Sequence, residues 1–298
     1  MTTDRTVVTT VLAQLITGTA KRLRRRSSGG PPRALGGART SSLPAVPLAG
    51  GADRHPYTRR AVGSMPYRHG NLLDRLVPEA TRENHYRQME EREQAILARR
   101  LGIDHGDVLS VGAGSRPGRH LFPAPAFRLV GVDAEPECVR TVLKTGRADE
   151  ARVGYAGKLD FPPASFDVVL YRLVLHHLTY QGPLEPIFSE GARLLRPGGA
   201  LIAIEPGLWH PVGLALALAN RTGVATAIHG TPDDIPLSPG ELIAHCRSVG
   251  LKPELHAVEY SWRRLPRPLQ ATLRPLDALG SRPRAARLGH TLMLIGRG

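Results

Sequence analysis

Asp107-Val-Leu-Ser-Val-Gly112-Ala-Gly114-Ser-Arg-Pro-Gly118 is a short apolar run that opens abruptly into glycines. The run reads as a β-strand. Gly112 and Gly114 directly after it let the backbone turn tightly and approach a ligand with no Cβ in the way. The next strand candidate ends in Val130-Gly-Val-Asp133. This places a carboxylate about twenty residues beyond the glycines, where an acceptor at the carboxyl end of a strand can bind a ribose diol. A nucleotide-bearing cofactor is the expectation from these two elements together.

On either side of this turn, short β-branched runs alternate with helical ones. Strand candidates are Asp107–Val111, Arg128–Val132, Ala151–Tyr155, Phe166–Tyr171, Ala200–Ile204, Lys252–Tyr260 and His290–Ile295. Helix candidates are Pro136–Gly146, Leu184–Leu195 and Pro239–Val249. A further helix is expected from Pro78, with Tyr86, Met89, Ile96, Leu97 and Leu101 near helical spacing and arginines at its end, a charge order suited to the helix dipole. Most of the first five strands are near-continuous apolar runs, which fits a parallel sheet covered on both faces. The fold class is therefore α/β, a Rossmann-like doubly wound sheet.

Two further segments separate the cofactor classes. Leu159-Asp-Phe-Pro-Pro-Ala-Ser-Phe166-Asp167-Val-Val-Leu170 and Leu194-Leu195-Arg196-Pro197-Gly198-Gly199-Ala-Leu-Ile202 resemble the signatures leading into strands 4 and 5 of class I S-adenosylmethionine-dependent methyltransferases. The similarity is to the broad small-molecule subfamily of the methyltransferase type 11 kind. It covers roughly residues 80 to 260 and is strongest over 107–205. A nicotinamide-type turn has glycine where Pro117 stands. The resemblance implies a seven-stranded sheet whose last strand runs antiparallel to the rest, with S-adenosyl-L-methionine as the cofactor.

Carried over by position, the resemblance implies that Gly112 and Gly114 meet the methionine half of the cofactor through backbone. It places Asp133 on the ribose hydroxyls and Ala134, Tyr155 and Ala156 at the adenine end; Asp167 is structural. Ser110 stands where the family usually has an acid that orients the methionine amine. Arg116 stands where a third glycine is usual, and Tyr155 where an acid commonly contacts the adenine amine.

A sulfonium methyl is already an activated electrophile. Such an enzyme mainly aligns an acceptor and removes a proton where the acceptor needs it. Candidates for that base lie where strands 4 and 5 end: His176 and His177 after the first, His210 beside Trp209 after the second. Tyr86, Glu205 and Trp209 are the candidates for contact with the acceptor. Residues 206–237 and 262–289 exceed ordinary connections and are expected to be acceptor-side insertions, with a helix over Pro211–Ala219. That helix is either a lid or part of the core. No metal site is expected.

The net charge of +14 sits at the two ends. Residues 1–70 carry 12 Lys/Arg against two acids and 262–298 carry eight Arg against Asp277 alone, which leaves 71–261 slightly acidic. A small-molecule acceptor is therefore favoured over nucleic acid. An RNA methyltransferase using the Arg-rich ends, or a non-catalytic cofactor-binding regulator, are the alternatives. Residues 1–64 read as a disordered basic extension, Ser/Gly/Pro-rich and poor in large apolar side chains, and 65–298 as the methyltransferase domain with its cofactor half at 102–205. Residues 1–26 pair an apolar helix face with a basic run, suited to peripheral membrane contact or to a transit segment. Translation from Met65 is an alternative start. The two cysteines, Cys138 and Cys246, exclude a disulfide framework, and no apolar run approaches the roughly 18 residues that span a bilayer. A cytoplasmic location is the expectation.

Overall fold

The computed structural model describes residues 78–222, 235–262 and 265–298. The expectations for residues 1–64, including the membrane-contact and alternative-start readings, lie outside these residues. So do residues 223–234 of the first insertion.

The chain enters through helix α1 (Glu79–Arg100), with Pro78 before its first turn and Arg99 and Arg100 in its last. His85, Met89, Glu93, Leu97 and Leu101 recur every four residues and form its buried stripe. There follow β1 (Gly106–Val111), β2 (Phe127–Asp133), α2 (Pro136–Lys144), β3 (Glu150–Val153) and β4 (Phe166–Arg172). The second half comprises α3 (Leu175–Gln181), α4 (Glu185–Leu194), β5 (Leu195–Pro206), α5 (Pro211–Thr222), α6 (Pro239–Ser248), β6 (Lys252–Glu259) and α7 (Arg267–Leu273). It ends with a 3-10 turn (Arg274–Leu279), α8 (Pro283–Ala286) and β7 (Thr291–Arg297).

The seven strands lie in the order β3-β2-β1-β4-β5-β7-β6. β1 to β5 pair in parallel, and β7 pairs antiparallel with both β5 and β6, as the resemblance implied. Successive residues of a strand face opposite sides, so each apolar run feeds two cores. On one face Leu109, Val111, Val169 and Leu201 pack with Ile187 and Phe188 of α4 and Leu242 of α6. On the other Val108, Val168, Leu170 and Ile202 pack with Met89 and Leu97 of α1. At the amino edge Asp167 accepts the Asp107 N–H (2.8 Å) and pairs with Arg196 (2.5 Å), tying β1, β4 and β5 together far from the cofactor end.

Three local features differ from the expectation. β3 stops at Val153: the Gly154 N–H on the Asp133 carbonyl (3.0 Å) is the last rung of its pairing with β2, and Tyr155 stands in the turn that follows, closed by Lys158 N–H on the Tyr155 carbonyl (3.1 Å). A short helix, α3, follows β4 directly. The insertion before β7 contains α7, the 3-10 turn and α8. The 206–237 insertion is pinned at its base: Leu208 N–H donates to Leu237 O and Leu237 N–H to Pro206 O, both 2.9 Å. The Pro211–Ala219 expectation is met by α5, and Leu214 and Leu218 of that helix are exposed among the described residues, so it is not a core helix. No helix of the described residues is long and apolar enough to cross a membrane.

Candidate active site

The parallel strands end together at one edge, and the glycine turn opens there. Gly112 (φ +66°) and Gly114 (φ +51°) both occupy left-handed backbone conformations that favour glycine. A Cβ on Gly112 would overlap the Val174 side chain, so the turn and the start of α3 fit against each other only with glycine. Beside Gly114 there is open space: a Cβ there would meet nothing within 4 Å. The Gly114 N–H donates to Asp133 Oδ2 (2.7 Å), and Asp133 Oδ1 accepts the Glu135 N–H (2.8 Å). A carboxylate offers about four acceptor positions, so Asp133 keeps capacity for a diol. An open backbone cradle next to a fixed carboxylate suits a nucleoside cofactor.

Arginines fasten this turn to its surroundings. Arg147 donates to the Ser115 carbonyl (2.7 Å). Arg116, off-pattern for a glycine, bridges to α1, with Glu90 at 3.4 Å and the Tyr86 ring at 5.1 Å. Tyr86 is thereby brought beside the turn. Ala134 is exposed past the end of β2, Tyr155 is half-buried, and Ala156 is buried against the core. Ser110 is buried in mid-strand, on the same face as Val108 and therefore on the α1 side.

At the end of β4, Leu173 takes a positive φ of +55°, which redirects the chain into α3. No side chain of its own caps α3. Glu205, fully buried at the end of β5, does so from across the sheet, accepting the N–H groups of Val174 (3.0 Å), Leu175 (2.8 Å) and His176 (3.3 Å). It also holds His176 Nδ1 at 2.6 Å. His177 is half-buried, its ring centroid 4.0 Å from that of His176.

His210 is turned inward. Its Nδ1 accepts the Val212 N–H and its Nε2 donates to the Tyr260 carbonyl, both at 3.2 Å, which assigns the neutral tautomer. Burial, reinforced by the neighbouring His290, lowers its pKa to about 4. Trp209 is half-buried beside it on the rim of the insertion.

Two polar networks on α1 centre on Glu93, Arg172 and Glu259, none of which is among the site residues read from the sequence. Glu93, fully buried, accepts from Arg172 Nε (3.0 Å) at the end of β4 and faces His120 Nε2 (2.8 Å). Glu259, at the end of β6, lies 3.3 Å from His85 and 3.8 Å from His290, and its Oε1 accepts the Thr291 hydroxyl (3.1 Å). Burial alone would raise the Glu259 pKa. Hydrogen bonds and charge from His290 and His85 outweigh it and hold the group at about 2. The visible signal was positional: Glu93 interrupts the four-residue stripe between Met89 and Leu97, and Arg172 closes an otherwise apolar strand.

Residues 109–203 match the family model of the methyltransferase domain. With the glycine turn, Asp133 and the β7 reversal already in place, that match decides the class. Residues 109–203 are a class I S-adenosylmethionine-dependent methyltransferase domain.

A Mycolicibacterium smegmatis protein that carries the name of an S-adenosylmethionine-dependent methyltransferase is 32% identical over 133 residues, 45% of this chain and 50% of its own. The 27-O-demethylrifamycin SV methyltransferase of Amycolatopsis mediterranei is 32% identical over 166 residues, 53% and 58% of the two chains. The chain thus spans about half the length of the curated relatives it matches. The methyltransferase fold itself recurs in a Thermotoga maritima S-adenosylmethionine-dependent methyltransferase, with TM-score 0.53, 14% identity, and 73% of this chain and 91% of that one covered. It recurs again in a Haloferax volcanii methyltransferase in complex with the Trm112 activator, with TM-score 0.51, 21% identity, and coverage of 73% and 93%.

Proposed function

We propose that the protein transfers a methyl group from S-adenosylmethionine to a small or lipid-like metabolite. The observation that carries this reading is the Gly112–Gly114 cradle, open beside Gly114 and bonded to Asp133, at the edge where β4 and β5 also end. The cofactor supplies an activated methyl on a sulfonium sulfur. The chain's own residues do the rest. The backbone of Gly112 and Gly114 faces the methionine half, Asp133 takes the ribose hydroxyls, and Ala134, Tyr155 and Ala156 line the adenine end, with Ser110 behind the turn. Tyr86 and Trp209 border the acceptor side.

Glu205 is a positioning residue, because its oxygens are spent on α3 and His176. His210 has both ring nitrogens hydrogen-bonded within the protein, and we read it, like His176, as holding the wall. His177, half-buried directly after β4, is read as the candidate to take a proton from the acceptor heteroatom as the new bond to the methyl carbon forms. A small acceptor is supported by the named substrate class of the Amycolatopsis relative and by the leucines that α5 exposes at this edge.

The test is transfer of labelled methyl from S-adenosylmethionine in extracts supplied with the purified full chain. Label in a low-molecular-weight product is the expected result. Label in RNA alone, or calorimetry showing no binding of the cofactor, would overturn the reading.

A further inference from the structure

The exposed apolar side chains are unevenly placed. Of the large ones among the described residues, Leu214, Leu218, Leu269, Leu276 and Leu288 lie on the two insertions, 41% to 61% exposed. The rest of the described chain exposes Leu143, Val153 and Tyr180, one each from α2, β3 and α3. Single exposed leucines are ordinary on a protein surface; their concentration on two segments marks an interaction face.

The two insertions share one root. Pro206, where the first leaves β5, stands opposite Thr291 of β7, and Glu259, where the chain leaves β6 for the second, stands opposite the same residue. The Gly207 N–H donates to the His290 carbonyl (2.8 Å), and His210 of the first insertion donates to the Tyr260 carbonyl just before the second (3.2 Å). Both therefore leave the same edge of the sheet, from the neighbouring strands β5, β7 and β6.

Charge is distributed as unevenly as the leucines. α5 opens with Pro211-Val-Gly-Leu-Ala-Leu-Ala-Leu-Ala-Asn220, a stretch without a charge, and Leu214 and Leu218 lie one turn apart on it. Interleaved with the exposed leucines of the second insertion stand Arg267, Arg274, Arg282, Arg284 and Arg287, all exposed. The one acid of residues 265–289, Asp277, turns inward to the Tyr260 N–H (3.0 Å) and Arg92 (2.5 Å), so it offsets none of this surface charge. Arginine interleaved with exposed leucine suits an anionic bilayer: the cations meet headgroups and the leucines enter the acyl boundary. RNA would pair with the arginines but leave the leucines in water. The chain's two tryptophans, Trp209 and Trp262, each stand half-buried at the foot of one insertion, a place suited to rings that sit at a membrane interface.

We propose that the two insertions form one docking surface for an anionic lipid bilayer. Docking through them turns the carboxyl edge of the sheet, with its glycine turn, toward the lipid. This goes beyond the methyl-transfer reading and needs neither cofactor nor acceptor, so either can fail without the other.

The tryptophans supply the test. The full chain is titrated with vesicles of phosphatidylglycerol and phosphatidylcholine, the latter brominated on its acyl chains, while tryptophan fluorescence is recorded. Bromine quenches only an indole close to the acyl region, and no tryptophan precedes Trp209, so residues 1–77 do not contribute to the signal. Quenching is expected with these vesicles and not with brominated phosphatidylcholine alone, and added salt should weaken it. Arg282→Gln with Arg284→Gln and Arg287→Gln should raise the half-saturating lipid concentration at least about tenfold, since each cation near an anionic surface contributes up to about fivefold. Leu269→Ser with Leu276→Ser keeps the charge and should remove most of the quenching. A thermal melt close to that of the wild type certifies the fold of both variants. Should either melt early, Leu214→Ser with Leu218→Ser on α5 is read in its place. Vesicles that carry the protein down on centrifugation without quenching overturn the proposal, because attachment then lies elsewhere. So does quenching that either variant leaves unchanged, and so does a wild type that ignores vesicles, including one whose fluorescence answers to polyuridylate alone.

Discussion

The Glu205 carboxylate stands 2.6 Å from His176 Nδ1 while its other oxygen receives the Leu175 N–H at 2.8 Å, so one buried acid from β5 organises the first turn of a helix that follows β4. Removing it strands three backbone N–H groups and a buried imidazole. Glu205→Ala is expected to lower unfolding stability by about 3 to 5 kcal/mol, the range for breaking one side of a buried pair. Denaturant unfolding at neutral pH checks this. A loss below about 1 kcal/mol would show that water or a neighbour replaces the acid at no great cost.

Asp133 is placed by two backbone N–H groups, so its replacement separates geometry from charge. Asp133→Asn is expected to fold with a near-native melting temperature. Its affinity for S-adenosylhomocysteine should fall by about tenfold to a hundredfold, since hydrogen bonds to a charged acceptor contribute about 1.5–3 kcal/mol. Calorimetry reads the affinity and a thermal melt the fold.

Gly112→Ala meets two obstacles, the φ of +66° and the Val174 side chain. The expected destabilisation is about 2 to 4 kcal/mol, combining left-handed strain with overpacking. Adding Val174→Ala relieves only the second obstacle. The double variant should therefore recover part of the loss, and a recovery of nothing would mean that Val174 moves aside unaided.

Acid should unfold this protein in two steps of the same sign. The folded His210 titrates at about 4, below its ordinary 6.5, chiefly because it is buried. As pH falls below 6.5 the unfolded chain takes up a proton that the folded ring refuses, so stability declines between pH 6.5 and 4. Glu259, held at about 2, contributes stability above its unfolded pKa of about 4.3 that is lost as pH falls from there toward 2. The His210 limb is on the order of 2 kcal/mol. Urea unfolding at pH 7, 5.5 and 4.5 should show the first decline. His210→Gln should flatten it, and an unchanged slope would assign the decline to another group.

The sheet was legible because its physics is local. Apolar runs such as Phe166–Tyr171 name themselves as strands buried on both faces, and glycine after a strand announces a turn. Tyr155 was assigned to a strand because its run of residues allows one. What ends β3 is the turn closed by Lys158 N–H on the Tyr155 carbonyl, directly after the last rung to β2. The polar networks were harder because they are not local. Glu93 and Arg172 are 79 positions apart, and nothing near either residue names the other. Glu259 gathers His85 from α1 and His290 and Thr291 from the start of β7, which meet only once β7 has reversed direction. His210 was read as a base from its place after an aromatic residue; its two nitrogens proved to be engaged by Val212 and Tyr260, one of them fifty residues distant.

The paired hydrogen bonds that clamp Leu237 onto Pro206 and Leu208 make residues 209–235 an excursion with a closed stem. Closure entropy rises slowly, by about 0.6 kcal/mol for each doubling of length. Once the stem is made, the sheet is nearly indifferent to how long the excursion is, while His210 at its start stays tied to the Tyr260 carbonyl. Such a segment behaves as a cassette in length: a protein engineer can shorten or extend it between the same two points and leave the strands that carry the glycine turn as they are.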